Sequence, residues 1–489
     1  MKKPNILLVV LDATRADYCS CYNRSRSITP ALDELAAEGV IFQRAFASAP
    51  WTLPAMASIL TGHSPAETNI EATRVLASGS RTLAARLREQ EYASFVISKN
   101  SWFGSGFGLT QDFDVFHKLW QLLQTETDLN EVSLTQAYPD QNLLVGAVKG
   151  AMRGNWLKNA ANLASRRIKV LNDRDYGARR TLRPVQQWIS GQTGPWFAMV
   201  HYLEAHLEYK PPLEWARRFV DDPPLAQRLL TAQQWRLCYR HMTGVEPLTA
   251  NELQVWRQLY AAEVAYQDHA LGQLLQWLRQ TGRYEDTFVI VVADHGESLG
   301  EHGLLNHGYG LYEPLIHVPL VMRGPGVRCG DQVSGLVQTS DIFGTVLAVA
   351  GAPLPAQGRN LLDAGAVRRY VVAEYGPPRV PHPDLLARYA LQASDFARFR
   401  RSLVSVRTEA HKLITGSDGT LELYDLAADP GENDNRVADA PVVLAEMQRL
   451  LAEWRLSTGL DMGQQPVAPA APVVAPEVAA RLKALGYLD

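Results

Sequence analysis

The chain has 489 residues, of which 46% are hydrophobic and 20% are charged, and these proportions are typical of a soluble globular protein. This length excludes a single small core, so we expect one large domain with a smaller addition. The formal net charge of -3 argues against a general nucleic-acid-binding protein, and we predict no nucleic-acid-binding surface.

The first residues predict a strand rather than a targeting segment. Two lysines precede the apolar run Ile6 to Leu11, but that run is short, ends on Asp12 and lacks a small-residue cleavage site. No stretch approaches the roughly 20 apolar residues that span a bilayer. The four cysteines are too few for a disulfide framework, and we interpret them as reduced thiols. A cytoplasmic protein without a membrane span is therefore the expectation.

The next elements lead to a threonine near the start of a helix. Residues Thr29 to Glu38 predict a helix that stops at Gly39, and Val40 to Ala47 predicts a short strand. The sequence SAPWTLPAMASILTG then places Thr52 just before the helix-forming run Ala55 to Leu60. A hydroxyl at that point lies among free backbone N–H groups, where the helix dipole favours an anion such as a phosphoryl group. A plain helix cap is the alternative interpretation.

Two further apolar segments predict strands that end in polar residues. The strand around Phe95 to Ile97 leads to Lys99 and Asn100, and a later one leads to His201 and His206. The carboxyl ends of parallel strands border the crevice where ligands bind in open α/β sheets. These four side chains are therefore candidates for the functional site, although a strand-to-loop turn and structural histidines are the alternatives.

The clearest chemical signal comes later in the chain. Five apolar residues, Phe288 to Val292, run without a polar break, as expected for a strand buried on both faces of a parallel sheet. The strand leads to Asp294 and His295, and His307 follows in a Gly-rich loop. An Asp followed by a His offers one oxygen and one nitrogen ligand to Zn or Mn. Together with Asp12, this pair predicts a shared metal site.

These motifs, in this order, resemble the sulfatase branch of the alkaline phosphatase superfamily. The resemblance rests on Asp12, on SAPWTLPAMASILTG, and on ADHGESLGEHG followed by LYEPLIHVPLVMRGPG. It extends to YAAEVAYQDHALGQLL, VRTEAHKLI, ELYDLAADPGEND and the terminal RLKALGYL. It covers most of the chain and is weakest between about residues 115 and 190.

One departure from the family pattern bears on the chemistry. Sulfatases of this family carry Cys or Ser, then Pro two residues on and Arg four residues on, and this motif is oxidised to formylglycine. The chain has Thr52, Pro54 and Met56 instead, so no formylglycine is expected. A threonine here resembles the phosphodiesterases and the lipoteichoic acid synthase-like phosphotransferases of the superfamily, whose Thr is the nucleophile. The Asp-His pair resembles the manganese-type sites of phosphonate monoester hydrolases.

The resemblance implies an alkaline phosphatase-like α/β fold, with three layers (α/β/α) and a mostly parallel central sheet, over residues 1–365. Residues 115–190 and 211–250 are helical insertions, and the first is either a cap over the site or a set of solvated helix faces. Short strands with turn signals predict an α+β subdomain with an antiparallel sheet over residues 366–460. Residues 461–489 predict a Pro/Ala-rich linker and a terminal helix.

The resemblance also implies a metal-dependent hydrolase of phosphate diesters or phosphonate monoesters, with Thr52 as the covalent nucleophile. The implied metal ligands are Asp12, Thr52, Asp294 and His295, which would hold one divalent ion, with Mn as the first choice and Zn or Ca as alternatives. The implied proton donors are His206 or His307, and the implied contacts to a small anionic ester substrate are Lys99, Asn100 and His201.

Several alternatives stay open at this point. The phosphoryl-bearing group could pass to an alcohol or amine acceptor, or the enzyme could act on sulfuryl esters without formylglycine. A non-catalytic anion-binding member of the family is a third reading, which the retention of the nucleophile and metal ligands disfavours. Glu204, His206 and His307 could supply a second metal site, although one ion is the expectation. A homo-oligomer is compatible with the sequence.

Overall fold

The computed structural model describes residues 3–70, 80–121, 177–376 and 383–459, together with residues 76, 123, 124, 158, 162 and 381. Most of the predicted insertion at 115–190 and the whole predicted linker and terminal helix at 461–489 lie outside the described residues. The described ends of that insertion are a strand at Val115–Lys118, where a helical pattern was expected, and a helix at Ala178–Ser190. The interpretation of the insertion as a cap stays a prediction.

The strands of the described chain fall into a nine-stranded sheet, a four-stranded sheet and a two-stranded ribbon. In chain order they are β1 (Asn5–Leu11), β2 (Val40–Phe46), β3 (Ala93–Ser98), β4 (Val115–Lys118), β5 (Trp196–Tyr202), β6 (Thr287–Val292), β7 (Ser298–Leu299), β8 (Leu305–Asn306), β9 (His317–Val318), β10 (Leu320–Arg323), β11 (Asp331–Gln338), β12 (Val371–Tyr375), β13 (Leu403–Arg407), β14 (His411–Gly416) and β15 (Leu421–Asp425).

The central sheet is mostly parallel, as predicted. Its order is β11-β2-β10-β6-β1-β5-β3-β4, and β9 pairs with β2. Strand β10 runs antiparallel to both β6 and β2, and β9 is antiparallel to β2, whereas the other pairs are parallel. The central strands β1 and β6 are apolar and almost wholly buried, because helices cover both faces of the sheet. Their carboxyl ends therefore point to one edge.

The helices form the outer two layers of the three-layer fold, which confirms the predicted fold class. In chain order they are α1 (Pro30–Glu38), α2 (Thr52–Thr61), α3 (Pro65–Thr68), α4 (Leu83–Arg88), α5 (Ala178–Ser190), α6 (Leu213–Phe219), α7 (Pro223–Thr231), α8 (Gln234–Met242), α9 (Ala250–Gln280), α10 (Glu313–Ile316), α11 (Asp341–Val349), α12 (Pro383–Arg388) and α13 (Pro441–Ser457). Helices α1, α5 and α9 pack together, and α2, α4 and α11 form a second group. In the described residues, no helix combines the length and apolar character that crossing a bilayer requires.

The carboxyl-terminal part of the described chain forms the small antiparallel sheet that the turn signals predicted. Its order is β12-β13-β14-β15, and α13 packs against β13 and β14. A buried ionic cluster joins this sheet to α10, because Lys412 Nζ lies 3.3 Å from Glu313 Oε1 and 2.8 Å from Glu432 Oε1. Glu313 lies only six residues after His307 in the sequence, so the cluster ties the small sheet to a loop close to the predicted site.

Candidate active site

The carboxyl ends of β1 and β6 bring three predicted metal ligands together. The parallel register places Val10 opposite Val292, so Asp12 and Asp294 leave the sheet side by side. One ligand atom from each of Asp12, Asp294 and His295 lies within 4.8 Å of the other two. His295 Nε2 is 3.6 Å from Asp12 Oδ1 and 3.6 Å from Asp294 Oδ2. All three side chains are fully buried.

This group has the chemistry of a divalent metal site. Asp12 Oδ1 and Asp294 Oδ2 are buried and find no hydrogen-bond partner among the described residues. His295 Nδ1 lies 2.8 Å from Gly296 O, so Nδ1 donates a hydrogen bond to this carbonyl oxygen. The lone pair of His295 Nε2 then faces the carboxylates of Asp12 and Asp294 and is available to a metal. Burial raises the pKa of Asp12 well above its usual range, and the neighbouring Asp294 raises it further. A cation would compensate this crowded negative charge, so the residues fit a metal of the Zn or Mn class.

Thr52 lies beside the same group. It is the first residue of α2, slightly earlier than the run from Ala55 that the sequence marked as helical, and all ten residues of α2 are buried. Thr52 Oγ1 is 3.3 Å from His295 Nε2 and accepts a hydrogen bond of 3.4 Å from Asn100 Nδ2. The hydroxyl therefore sits at a helix amino terminus, where backbone N–H groups and the helix dipole favour an anion.

Asn100 and His201 both contact the carboxylate of Asp12. Asn100 Nδ2 donates to Asp12 Oδ2 at 3.0 Å, and His201 Nε2 lies 3.4 Å from the same oxygen. His201 Nδ1 is 3.2 Å from Ser98 Oγ, and burial lowers the pKa of His201 to about 4. Their geometry orients Asp12. The predicted substrate contacts of Asn100 and His201 stay predictions, as does that of Lys99, which is half-buried at the end of β3.

The imidazole rings of His307 and His206 lie beside the candidate metal ligands. The ring centroid of His307 is 4.4 Å from that of His295 and 4.9 Å from that of His206. Within the described residues, only Asp12, Asp294 and His295 bring three such ligand atoms together. A second metal site formed by Glu204, His206 and His307 is therefore not found, and Glu204 instead accepts a 2.7 Å hydrogen bond from the backbone N–H of Ala178.

Glu297 is a member of the site that the sequence did not single out. Its side chain is fully buried, and its Oε1 and Oε2 each lie 3.4 Å from His307 Nδ1. Burial raises the pKa of Glu297 well above its usual range. The only available signal was its place in ADHGES, two residues after His295, because an acid in a Gly-rich loop otherwise predicts a solvent-facing side chain.

Arg15 was also missed, and it fixes the loops around the site. Its guanidinium is buried and lies 2.8 Å from both Asp17 and Glu301. Arg15 Nη1 also donates to Glu297 O at 3.2 Å. One guanidinium therefore joins the loop after β1 to the segment that follows His295.

The family assignment agrees with this geometry. The family model described as Sulfatase matches residues 4–352, which is more than half of the chain. The chain belongs to the sulfatase family. A second family model, described as N-sulphoglucosamine sulphohydrolase, C-terminal, matches residues 300–456 of this sulfatase-family chain. The sulfatase family is metal-dependent, and the triad of Asp12, Asp294 and His295 is the corresponding candidate site here.

Relatives of this sulfatase-family protein include other sulfatases. "Uncharacterized sulfatase YidJ" of Escherichia coli is 25% identical over 469 residues, covering 90% of this chain and 84% of that protein. Human "Arylsulfatase K" is 32% identical over 211 residues, but the match spans only 42% of this chain and 37% of that protein.

Solved structures of similar fold include a phosphonate monoester hydrolase and a protein solved with a sulfated sugar. "Phosphonate Monoester Hydrolase of Agrobacterium radiobacter" aligns with a TM-score of 0.67 at 23% identity and covers 93% of this chain and 95% of that one. A protein solved in complex with D-glucosamine-2-N,6-O-disulfate also aligns with a TM-score of 0.67, at 19% identity, and covers 96% of this chain and 100% of that one. At these identities the likeness establishes the fold alone.

Proposed function

We propose that this sulfatase-family protein is a metal-dependent hydrolase of phosphate diesters or phosphonate monoesters, with Thr52 as its covalent nucleophile. The observation that carries the proposal is the position of the Thr52 hydroxyl, 3.3 Å from His295 Nε2 at the amino terminus of α2. A nucleophile of this kind needs activation and a site that stabilises the charge developing on the ester oxygens.

The side chains around Thr52 suit the steps of ester cleavage. Thr52 Oγ would attack phosphorus while the bond to the leaving oxygen breaks, and water would then release the phosphorylated threonine. Asn100 holds Thr52 Oγ1 through its amide, the first backbone N–H groups of α2 face the anion, and His206 or His307 would protonate the leaving oxygen. A divalent ion held by Asp12, Asp294 and His295, with Mn as our first choice and Zn or Ca as alternatives, would lower the pKa of the hydroxyl and polarise the ester.

Sulfate ester hydrolysis is the second candidate function. The observation that favours it is the family match and the sulfatases among the relatives. The sequence TLPAM at residues 52–56 favours phosphoryl chemistry instead, because it has neither the Cys or Ser nor the Arg of the formylglycine motif. Transfer to an alcohol or amine acceptor would use the same phosphothreonine, so the acceptor rather than the first step distinguishes it from hydrolysis.

The test is an ester panel assayed with the Mn-loaded enzyme. Bis-4-nitrophenyl phosphate, 4-nitrophenyl phenylphosphonate and 4-nitrophenyl sulfate are compared in wild type, Thr52→Ala and Thr52→Ser. We expect turnover of one of the two phosphorus esters, retained measurably by Thr52→Ser and lowered about a thousandfold or more by Thr52→Ala. Undiminished activity of Thr52→Ala would refute the covalent mechanism, and turnover of the sulfate alone would favour the second candidate.

Mass spectrometry of the quenched enzyme separates the remaining alternatives. A phosphoryl adduct on the peptide containing Thr52, absent from Thr52→Ala, is expected from the proposed intermediate. Repeating the assay with added glycerol or ethanolamine measures how the intermediate divides between water and an acceptor. A product found mainly on the acceptor would change the proposal from a hydrolase to a transferase.

A further inference from the structure

The ribbon β7–β8 places a carboxyl group opposite a histidine at the edge of the candidate active site. In its antiparallel register, Ser298 pairs with Asn306 and Leu299 pairs with Leu305. Extending this register by one residue brings Glu297 opposite His307. Two-residue strands are short, so the ribbon depends on what holds its ends.

Several contacts hold this ribbon in place. Gly300 adopts a φ of 110° and its N–H donates to Leu304 O at 2.8 Å, which closes the turn. Arg257 from α9 donates to Leu299 O at 2.9 Å. The backbone of Glu297 is held on both sides, because its N–H donates to Pro314 O at 3.1 Å and its carbonyl accepts from Arg15.

The Glu297 carboxyl group meets one defined atom of His307. Both carboxyl oxygens are 3.4 Å from His307 Nδ1, and both residues are buried. A ring whose Nδ1 faces a carboxyl group has its Nε2 on the opposite side, and such a partner fixes the orientation of the imidazole. The ring of His307 also lies between those of His295 and His206, whereas His206 Nδ1 contacts the backbone oxygen of the adjacent Leu207.

We propose that Glu297 is a positioning residue that holds His307 with its Nε2 toward an ester bound at Thr52, so that His307 is the proton donor to the leaving group. This inference rests on the proposed function and assigns the role that the site geometry leaves between His206 and His307. Glu297 acts through His307 and does not contact the substrate.

The proton balance of the step is simple. As the bond between phosphorus and the leaving oxygen breaks, its electron pair stays on that oxygen, and the proton on His307 Nε2 transfers to it. Nδ1 continues to share a proton with the Glu297 carboxyl group. The Thr52 hydroxyl gives its proton to solvent before it attacks. In the second step, the attacking water returns a proton to His307 Nε2 as its oxygen bonds to phosphorus, and the departing Thr52 oxygen takes a proton back from solvent.

The test compares Glu297→Gln with wild type on aryl phosphate diesters whose leaving phenols range from 4-nitrophenol to phenol. 4-Nitrophenolate is a good leaving group that needs little protonation, whereas phenolate is a poor one that needs a proton. The loss of rate in Glu297→Gln should therefore grow from the 4-nitrophenyl to the phenyl ester. We expect a loss below about tenfold for the 4-nitrophenyl ester and of about a hundredfold for the phenyl ester. The matched control is Glu285→Gln, a carboxylate that is 81% exposed and pairs with Arg323 before β6.

A loss of the same factor for every ester would refute the proposal, because a purely structural role would not depend on the leaving group. His307→Gln tests the same pair from the other side and should reproduce the leaving-group dependence. Since the two residues act as one unit, the double variant should be no slower than His307→Gln alone. A double variant whose losses multiply would also contradict the proposal.

A spectroscopic measurement keeps this proposal separate from the proposed function. In protein labelled with 15N-histidine, the ring nitrogen signals of His307, assigned by their loss in His307→Gln, should shift in Glu297→Gln and stay unchanged in Glu285→Gln. Signals that do not move would refute the pairing even if the enzyme hydrolyses the esters. If the signals move but no ester is hydrolysed, the proposed function fails while the pairing stands, and the proton-donor role falls with that function.

Discussion

Lys412 gives the sharpest stability prediction, because replacing it by methionine removes a fully buried cation from an ionic cluster. Lys412 Nζ lies 2.8 Å from Glu432 Oε1 and 3.3 Å from Glu313 Oε1, and the Lys412 and Glu432 side chains have no exposed surface. Arg407, which lies 3.4 Å from Glu313, is still present in the variant. The carboxylate that mainly loses its cationic partner is therefore that of Glu432. Methionine fills a similar volume, which limits any contribution from a cavity.

The expected loss in the free energy of unfolding is about 3–5 kcal/mol, the usual result of leaving one charge of a buried pair without its partner. The matched control is Arg369→Met, because Arg369 is 59% exposed and lies 3.8 Å from Glu453 and 4.0 Å from Glu446. Exposed pairs of this kind contribute less than about 1 kcal/mol. The two variants should therefore differ clearly, although each removes one cation from the carboxyl-terminal part of the described chain.

The difference in unfolding free energy between Lys412→Met and Arg369→Met should also depend on pH. Burial alone would raise the pKa of Glu313, but Lys412 and Arg407 lower it to about 2. A carboxyl group whose pKa is depressed in the folded state stabilises the protein above its unfolded value of 4.5 and loses that contribution as the pH falls toward 2. The part of the Lys412→Met penalty that comes from Glu313 should shrink over this range.

Urea unfolding followed by circular dichroism, with both variants at pH 7 and pH 3, measures these effects. A Lys412→Met midpoint no lower than that of Arg369→Met would refute the reasoning, because the buried cluster would then contribute no more than a surface pair.

Three further predictions concern the site and the pH dependence of stability. Asn100→Ala should lower kcat by about tenfold to a thousandfold with little change in KM, because the Asn100 amide donates a hydrogen bond to Thr52 Oγ1. The control is the exposed Asn251→Ala, and a kcat of Asn100→Ala equal to that of this control would contradict the prediction. Mn should raise the melting temperature of wild type but not of Asp294→Ala, because an ion at a hundredfold excess over its Kd adds about 2.7 kcal/mol to the free energy of unfolding. Equal shifts of the two melting temperatures in differential scanning fluorimetry would count against the metal site. Burial raises the pKa of Glu374 to about 8, so the folded state retains a proton that the unfolded state loses above about pH 4.5. The free energy of unfolding should therefore fall between these two pH values, by at most about 1.4 kcal/mol per pH unit. Glu374→Gln should remove that slope in urea unfolding at pH 6 and pH 8, and identical slopes for both proteins would disprove the assignment.

The buried strands of the fold were predictable because their sequences carry a strong signal. The segments that became β1 and β6 are unbroken apolar runs, and each ends just before an acid. The sequence of a strand carries no comparable signal for whether the strand runs parallel or antiparallel to its neighbours. Strand β10 is a short apolar segment like its neighbours, and only tertiary packing makes it antiparallel to both β6 and β2.

The candidate site was predictable to the extent that its residues follow strands. Asp12, Asp294 and His295 converge because neighbouring parallel strands end at one edge of the sheet. Glu297 was not predictable, because its burial depends on the register of two strands of two residues each. Arg15 was missed for a similar reason, since its partners Asp17 and Glu301 are two and 286 positions away.

Helix α2 is buried along its whole length, from Thr52 to Thr61. Packing on every side therefore sets the direction in which its first side chain points, whatever that side chain is. Under the proposed function, a single substitution at position 52 would exchange the reacting atom while the backbone that directs it stays the same. Under the proposed function, divergence of chemistry on this scaffold would thus require a few substitutions within one helix and no rebuilding of the surrounding interior.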